Sequence, residues 1–241
     1  MTGAIEVSIV IPCLNGERTV GTCVRKAIRA IANLKVGGEV IVVDNNSDDG
    51  SARVAQDAGA KVILWEQRGY GAACACGFRE CKGRFIIMGD DDDTYDFLEI
   101  PRFLKPLQSG DCDFVLGTRL QRNMAPRAMS LAHNVGNRML TGVFRLLFRL
   151  NVSDLTSGYR AFSRAFLDRL DLRTTGMEFS TEMLIRAAQS GIRIETIPIS
   201  YVPASGTRSR LRTFHDGYRI LRLLLTAAVD LRNKRWSTAR G

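Results

Sequence analysis

The chain has 241 residues, 45% of them apolar and 24% charged, which places it among ordinary globular proteins and excludes a disordered or collagen-like one. Its formal charge of +9 is unevenly spread: residues 1–114 hold 13 basic and 17 acidic groups, whereas residues 115–241 hold 21 and 8. An acidic half joined to a basic half predicts two tasks, the second facing an anion such as a phosphate ester, an anionic membrane or a nucleic acid, among which charge alone does not choose.

In chain order, the first strand is predicted at 7–11 and is followed by a helix-like segment at 17–33. Further strands at 39–43, 61–65 and 84–88 are followed by helices at 49–58, 70–81 and 97–108, and a fifth strand falls at 113–117. These strands are continuous apolar runs rather than alternating ones, the pattern of a parallel sheet buried on both faces. The rhythm predicts a doubly wound α/β layer, whose ligands bind beyond the C-terminal ends of the strands. After Phe114 it weakens into an Arg-rich, helix-leaning region, interrupted near 155–162 and by the apolar run 192–201. One continuous domain with a C-terminal elaboration is expected.

Six cysteines lack paired C-x-x-C spacing, and the two histidines, His133 and His215, are distant from them in sequence, so a zinc site is not expected and reduced thiols are. The N-terminus has no basic stretch and long apolar core of a secretory signal. The apolar stretches 139–150 and 220–229 are interrupted by arginine and fall short of the roughly 20 residues that span a bilayer.

The residues just after the strands are polar. They are Asn15, the run Asp44-Asn-Asn-Ser-Asp-Asp49, then Arg68-Gly-Tyr-Gly71 and the aspartates 90–93. In Gly89-Asp-Asp-Asp-Asp-Thr-Tyr-Asp96 four carboxylates follow an apolar strand directly. Crowding them raises their pKa values unless a cation or solvent disperses the charge. A hard divalent ion suits them, since Mg²⁺ or Mn²⁺ takes carboxylate oxygens together with substrate phosphates. Strand-like alternation would turn Asp90 and Asp92 toward the cleft and Asp91 and Asp93 elsewhere. The competing reading is an acidic turn capping a helix near Phe97. In the run after the second strand, Ser47 or Asp48 suits a helix N-cap, leaving Asp44 for a base or ribose. Gly69-x-Gly71-x-x-Cys74 is an incomplete dinucleotide fingerprint in the wrong place, so its glycines are expected to allow close backbone approach or a tight helix start.

Seven segments occur in the order seen in family 2 glycosyltransferases: Ser8-Ile-Val-Ile-Pro-Cys-Leu-Asn15, Val42-Val-Asp-Asn-Asn-Ser47, Arg68-Gly-Tyr-Gly71, Met88-Gly-Asp-Asp-Asp92, Leu116-Gly-Thr-Arg119, Asp154-Leu-Thr-Ser-Gly-Tyr-Arg160 and Met177-Glu-Phe-Ser-Thr-Glu-Met183. The chain resembles that family over about residues 6–230, and most of all its dolichyl-phosphate mannose synthase and polyprenyl-phosphate glycosyltransferase branch. The resemblance implies an α/β fold of the GT-A (Rossmann-like) kind, a mostly parallel sheet flanked by helices with a helical, basic C-terminal elaboration. A catalytic domain would cover 1–211, with a nucleotide-sugar half at 1–114 and an acceptor half at 115–211. Residues 212–241 would form an amphipathic basic helix and tail.

The implied reaction is inverting transfer from a nucleotide sugar, GDP-mannose or a UDP-hexose, to a polyprenyl phosphate, with Mg²⁺ or Mn²⁺ as cofactor. The implied catalytic residues are Asp92, Arg119, Arg160 and Glu182. Pro12, Asn15, Asp44, Gly69, Gly71, Asp90, Asp91, Arg208 and Arg210 would bind the donor. Arg119, Arg127, Asn134, Asp154 and Glu178 would bind the acceptor, and Asp90, Asp92 and Thr94 the metal. Relatives usually carry Glu where this chain has Gly16, and many bacterial ones continue into transmembrane helices where it stops at Gly241.

A phosphate monoester already carries about −1.5 to −2 charges at neutral pH and needs cations rather than a general base. The Arg-rich half therefore fits a lipid phosphate better than a neutral alcohol, which would need a base such as Asp154 or Glu178. The lipid tail predicts a peripheral protein on the cytoplasmic face of the plasma membrane, with a membrane-embedded partner as a further option. Leu140, Val143, Phe144 and Leu147 form a stripe near Arg145 and Arg149 that suits an interfacial helix, and 218–236 is a second such stretch. Nucleic acid is not an expected partner, because the basic half offers few aromatics for stacking and no recognised motif.

Overall fold

The computed structural model describes residues 5–120, 129–204 and 213–238, excepting the side chains at 213, 214 and 232–238. Its first half runs β1 (Val7–Cys13), α1 (Val20–Leu34), β2 (Gly38–Asp44), α2 (Ser51–Asp57), β3 (Lys61–Leu64), α3 (Tyr70–Glu80), β4 (Phe85–Met88) and α4 (Ile100–Gln108). The second half adds β5 (Phe114–Thr118), α5 (Leu131–Phe148), β6 (Arg160–Ser163), α6 (Arg164–Leu167), α7 (Phe179–Ser190), β7 (Ile194–Pro198) and α8 (Thr213–Thr238).

Seven strands form one sheet in the order β3-β2-β1-β4-β6-β5-β7. All pairings are parallel except those of β6, which is antiparallel to both β4 and β5. The reversal matters for function, because it brings the residues before Arg160 to the edge where the other strands end. The sheet alternates its side chains between two apolar layers. Ile9, Val42, Phe85 and Val115 face α1, α2 and α4, whereas Val10, Val43, Met88 and Leu116 face α3, α5, α7 and α8. In α1 the buried positions Val20, Cys23, Val24, Ala27 and Ile31 repeat at helical spacing, and each larger apolar side chain so buried stabilises the fold by about 1.5–3 kcal/mol. All six cysteines are buried and unpaired.

Several local expectations change. The second helix starts at Ser51 rather than 49, because Asp49 accepts from the Ser51 backbone N–H. Ser47 and Asp48 are not its cap: the Ser47 N–H donates to Asp44 and that of Asp48 to Asn15. The two interruptions of the rhythm prove to contain β6 and β7. On α5 the stripe expected to face an interface turns inward: Phe144 is fully buried, with Leu140, Val143 and Leu147 packed around it. A different α5 stripe, Leu131, Val135, Met139 and Leu146, lies exposed, and Tyr218, Leu225 and Val229 are exposed on α8. No described helix is long and apolar enough to cross a membrane.

Candidate functional site

A cavity of about 230 Å³ opens at the C-terminal edge of the sheet. One wall is built from the ends of β1 and β4, through Pro12, Cys13, Leu14 and the run from Asp90 to Asp92. The loop entering α3 supplies Arg68, Gly69 and Tyr70, and the second half supplies Arg119, His133, Thr156, Gly158, Met177, Ser180 and Tyr201.

The aspartates divide by partner. Asp90 accepts from the Tyr70 hydroxyl at 3.0 Å, and Asp92 accepts from the Thr94 hydroxyl at 2.7 Å and its N–H at 3.1 Å. Asp91 is fully buried and accepts from the Leu14 N–H at 3.2 Å, and it too is among the residues at the cavity. It explains the departure at Gly16: a β-carbon there would lie 2.4 Å from Asp91 Oδ2. Asp93 turns away to pair with Lys26 at 2.8 Å, and Asp96 accepts from the Leu98 N–H, so the acidic segment is a helix cap as well as a cleft wall. Burial, then the Asp92 and Asp91 carboxylates, push Asp90 up to about 7.

Arg119 lines the same cavity, 4% exposed, with Nε and Nη2 donating at 2.8 Å to the two oxygens of Asp154. Nη2 also donates to Thr156 at 2.8 Å, and the guanidinium lies 5.3 Å from the Tyr201 ring centre. Asp154 accepts further bonds from the Arg119 N–H and from Asn137. Burial opposes its charge, but the Arg119 guanidinium holds its carboxyl below the ordinary range. A carboxylate so occupied is an anchor for Arg119, and Asp154, expected to bind acceptor or serve as a base, is fully buried and not among the residues that line the cavity.

Other expected site residues are bonded within the fold. Arg160 is fully buried and donates to the carbonyls of Ser157, Leu155 and Ser180, one from each guanidinium nitrogen, and burial pushes it down to about 10. It ties the segment before β6 to α7. Glu182 accepts from the Arg173 and Thr174 N–H groups and the Thr174 hydroxyl, fastening that loop to α7, and does not reach the cavity. Glu178 pairs with Arg219 of α8 at 2.5 Å. Asn134 accepts from Arg138, one turn short of the Asn137 that holds Asp154. Asn15 donates to Ser47 and accepts from Asp48, joining the first two strand ends. Thr94 orients Asp92 rather than lining the cavity.

Asp44 is buried, with Oδ1 bonded to the Ser47 N–H and Oδ2 buried without a hydrogen-bond partner. Gly69 has φ +134°, and a β-carbon there would lie 2.2 Å from the Thr175 carbonyl oxygen. Gly71 meets Thr174 and Phe179 in the same way, so its smallness serves packing of α3, not a ligand. Arg127, Arg208 and Arg210 lie outside the described residues.

Sequence reasoning passed over Asn45, whose side chain holds the carbonyls of Trp65 and Gln67 and the Gly69 N–H, shaping the loop that carries Arg68. It also passed over His133, and over Tyr70, Tyr95 and Tyr201, whose rings line the cavity. The signal available was position: Tyr70 stands within the Arg-Gly-Tyr-Gly motif and Tyr95 just beyond the aspartates.

The donor chemistry fits a hard divalent ion. Among the described residues no three His, Cys, Asp or Glu side chains form a cage. Mg²⁺ needs none, since one or two carboxylates suffice when phosphate oxygens and water complete the octahedron. Asp90 and Asp92, each steadied by one hydroxyl and crowded by like charge, are such a pair.

Residues 8–171 match the profile of glycosyl transferase family 2. The chain is 38% identical over 226 residues to the Haloferax volcanii low-salt glycan biosynthesis hexosyltransferase Agl6, covering 93% of this chain and 54% of that protein. It is 28% identical to a dolichyl-phosphate hexose transferase of the same organism, covering 94% and 96%. It thus spans only about half the length of Agl6. Among solved structures, Mycobacterium tuberculosis glucosyl-3-phosphoglycerate synthase superposes with a TM-score of 0.74 at 22% identity, covering 94% of this chain and 81% of that one. That enzyme has been crystallised with Mg²⁺ and UDP, and with Mn²⁺, UDP-glucose and phosphoglyceric acid. The structural likeness establishes the GT-A fold, and the sequence match establishes the family: the chain belongs to glycosyltransferase family 2.

Proposed function

We propose that the chain transfers a hexose from a nucleotide sugar to a polyprenyl phosphate, with Mg²⁺ or Mn²⁺, as a peripheral protein at the cytoplasmic face of a membrane. The observation that carries this reading is one cavity lined both by an aspartate pair and by an anchored, buried arginine. Donor binding falls to the β1, β2 and β4 ends, where Pro12 borders the nucleoside and the unpartnered Asp44 oxygen takes a donor from base or ribose. Asp90 and Asp92 would hold the divalent ion, which when bound would supply positive charge to the diphosphate.

Arg119 holds the acceptor phosphate in line with the anomeric carbon. With Nε and Nη2 taken by Asp154 and Thr156, its Nη1 is the nitrogen left for the phosphate, and a guanidinium so fixed loses little freedom on binding. A phosphate oxygen attacks that carbon as its bond to the diphosphate oxygen breaks, and no proton has to be removed. Transfer to a neutral alcohol is less well supported, because Asp154 and Glu178, the expected bases, pair with Arg119 and Arg219 and are not among the residues lining the cavity. Exposed apolar side chains on α5 and α8, with Arg138, Arg145 and Arg222 also exposed on these helices, support contact with an anionic lipid surface.

The test is a panel of radiolabelled GDP- and UDP-sugars offered with a polyprenyl phosphate in detergent or with 3-phosphoglycerate. Label is expected in the organic phase, and only in the presence of Mg²⁺ or Mn²⁺. Transfer confined to phosphoglycerate would overturn the lipid acceptor while leaving a glycosyltransferase.

A further inference from the structure

Four of the five tyrosines in the chain gather behind the aspartates, and the proposed function uses none of them. Tyr70 opens α3, immediately after the positive-φ Gly69, and its hydroxyl reaches Asp90 Oδ1 at 3.0 Å across 20 residues of sequence. Gly158 lies beside both groups. A β-carbon there would stand 2.9 and 3.0 Å from the two Asp90 oxygens and 3.0 Å from the Tyr70 hydroxyl. The Gly158 N–H is itself pinned, donating to the Tyr95 hydroxyl at 3.0 Å, and Tyr95 stacks on Tyr159 with ring centres 5.3 Å apart. Thr94 does for Asp92 what Tyr70 does for Asp90.

We propose that Tyr70 is a positioning residue for Asp90: its hydroxyl, in space that only a glycine at 158 leaves open, holds the carboxylate in one orientation and so sets the cation affinity of the aspartate pair. The inference rests on the divalent-ion reading above. Groups that orient a ligating side chain without touching the metal typically alter affinity by about 10–100-fold.

The probe is Mn²⁺ with UDP or GDP, read from the loss of the free-ion electron paramagnetic resonance signal, alongside melting temperature. Tyr70→Phe keeps the ring and removes the donor; about ten-fold weaker Mn²⁺ binding is expected, with transfer activity recovering at high Mn²⁺. Gly158→Ala drives a methyl against Asp90 and the Tyr70 hydroxyl, and the same defect is expected from that side. A folded Tyr70→Phe protein that binds Mn²⁺ as tightly as the wild type overturns the proposal, whatever Gly158→Ala does. A wild-type protein that takes up no Mn²⁺ in the presence of either diphosphate overturns the divalent-ion reading and this inference with it.

Discussion

The two halves of the molecule use charge in opposite ways. In the acidic half, Asp90 and Asp92 stand at a strand end and border the cavity, each held by one hydroxyl. In the basic half most charged motif residues turn inward: Arg160 onto carbonyls, Glu182 onto backbone N–H groups, Asp154 onto Arg119. Only Arg119 among them reaches the cavity. A charged residue in a motif is therefore as often the brace of a ligand-binding loop as the contact itself, and its hydrogen-bond partners tell which.

Three substitutions break or sharpen that contrast. Asp92→Asn should have the largest effect on chemistry, lowering turnover by about 100-fold or more in a transfer assay while leaving the fold intact. Asp154→Asn should have the largest effect on stability. Removing one member of a buried ion pair costs about 3–5 kcal/mol, measurable by urea unfolding, and the retained amide would place this variant near the lower end.

The same variant carries a pH signature. Because the folded value of Asp154 lies below its unfolded one, its stabilisation is complete above about pH 4 and is lost as pH falls further. The wild type should therefore lose more stability than Asp154→Asn between pH 5 and pH 3, and parallel acid curves would show that Asp154 is not the group responsible. Glu182→Gln should do least. It weakens the latch on Arg173 and Thr174 by about 1–2 kcal/mol with kcat unchanged, whereas a collapse of kcat at full stability would restore Glu182 to the catalytic machinery.

Much of the first half was legible in the sequence because its strands are buried on both faces and read as unbroken apolar runs. The aspartates were found at strand ends, where open α/β sheets bind ligands, whereas Pro12 and Arg119 came from the family resemblance. The second half was harder. β6 is four residues long, reversed, and preceded by the polar segment that builds the cavity wall, so it carried no strand period of its own. On α5 the inner and outer apolar stripes lie a few residues apart, and periodicity alone does not say which one the core takes. Asn45 and the tyrosines escaped notice because their importance lies in contacts made across distant segments.

The central claim is that the aspartate wall binds the donor and Arg119 binds the acceptor. Calorimetric titration of the wild type, Asp92→Asn and Arg119→Lys with UDP or GDP in the presence of Mn²⁺ tests it most directly, once each variant is shown to be folded. The account predicts that Asp92→Asn weakens diphosphate binding by about ten-fold or more, while Arg119→Lys binds it like the wild type and suffers only in acceptor KM. Equal loss of diphosphate affinity in both variants would contradict the division of the cavity into donor and acceptor walls.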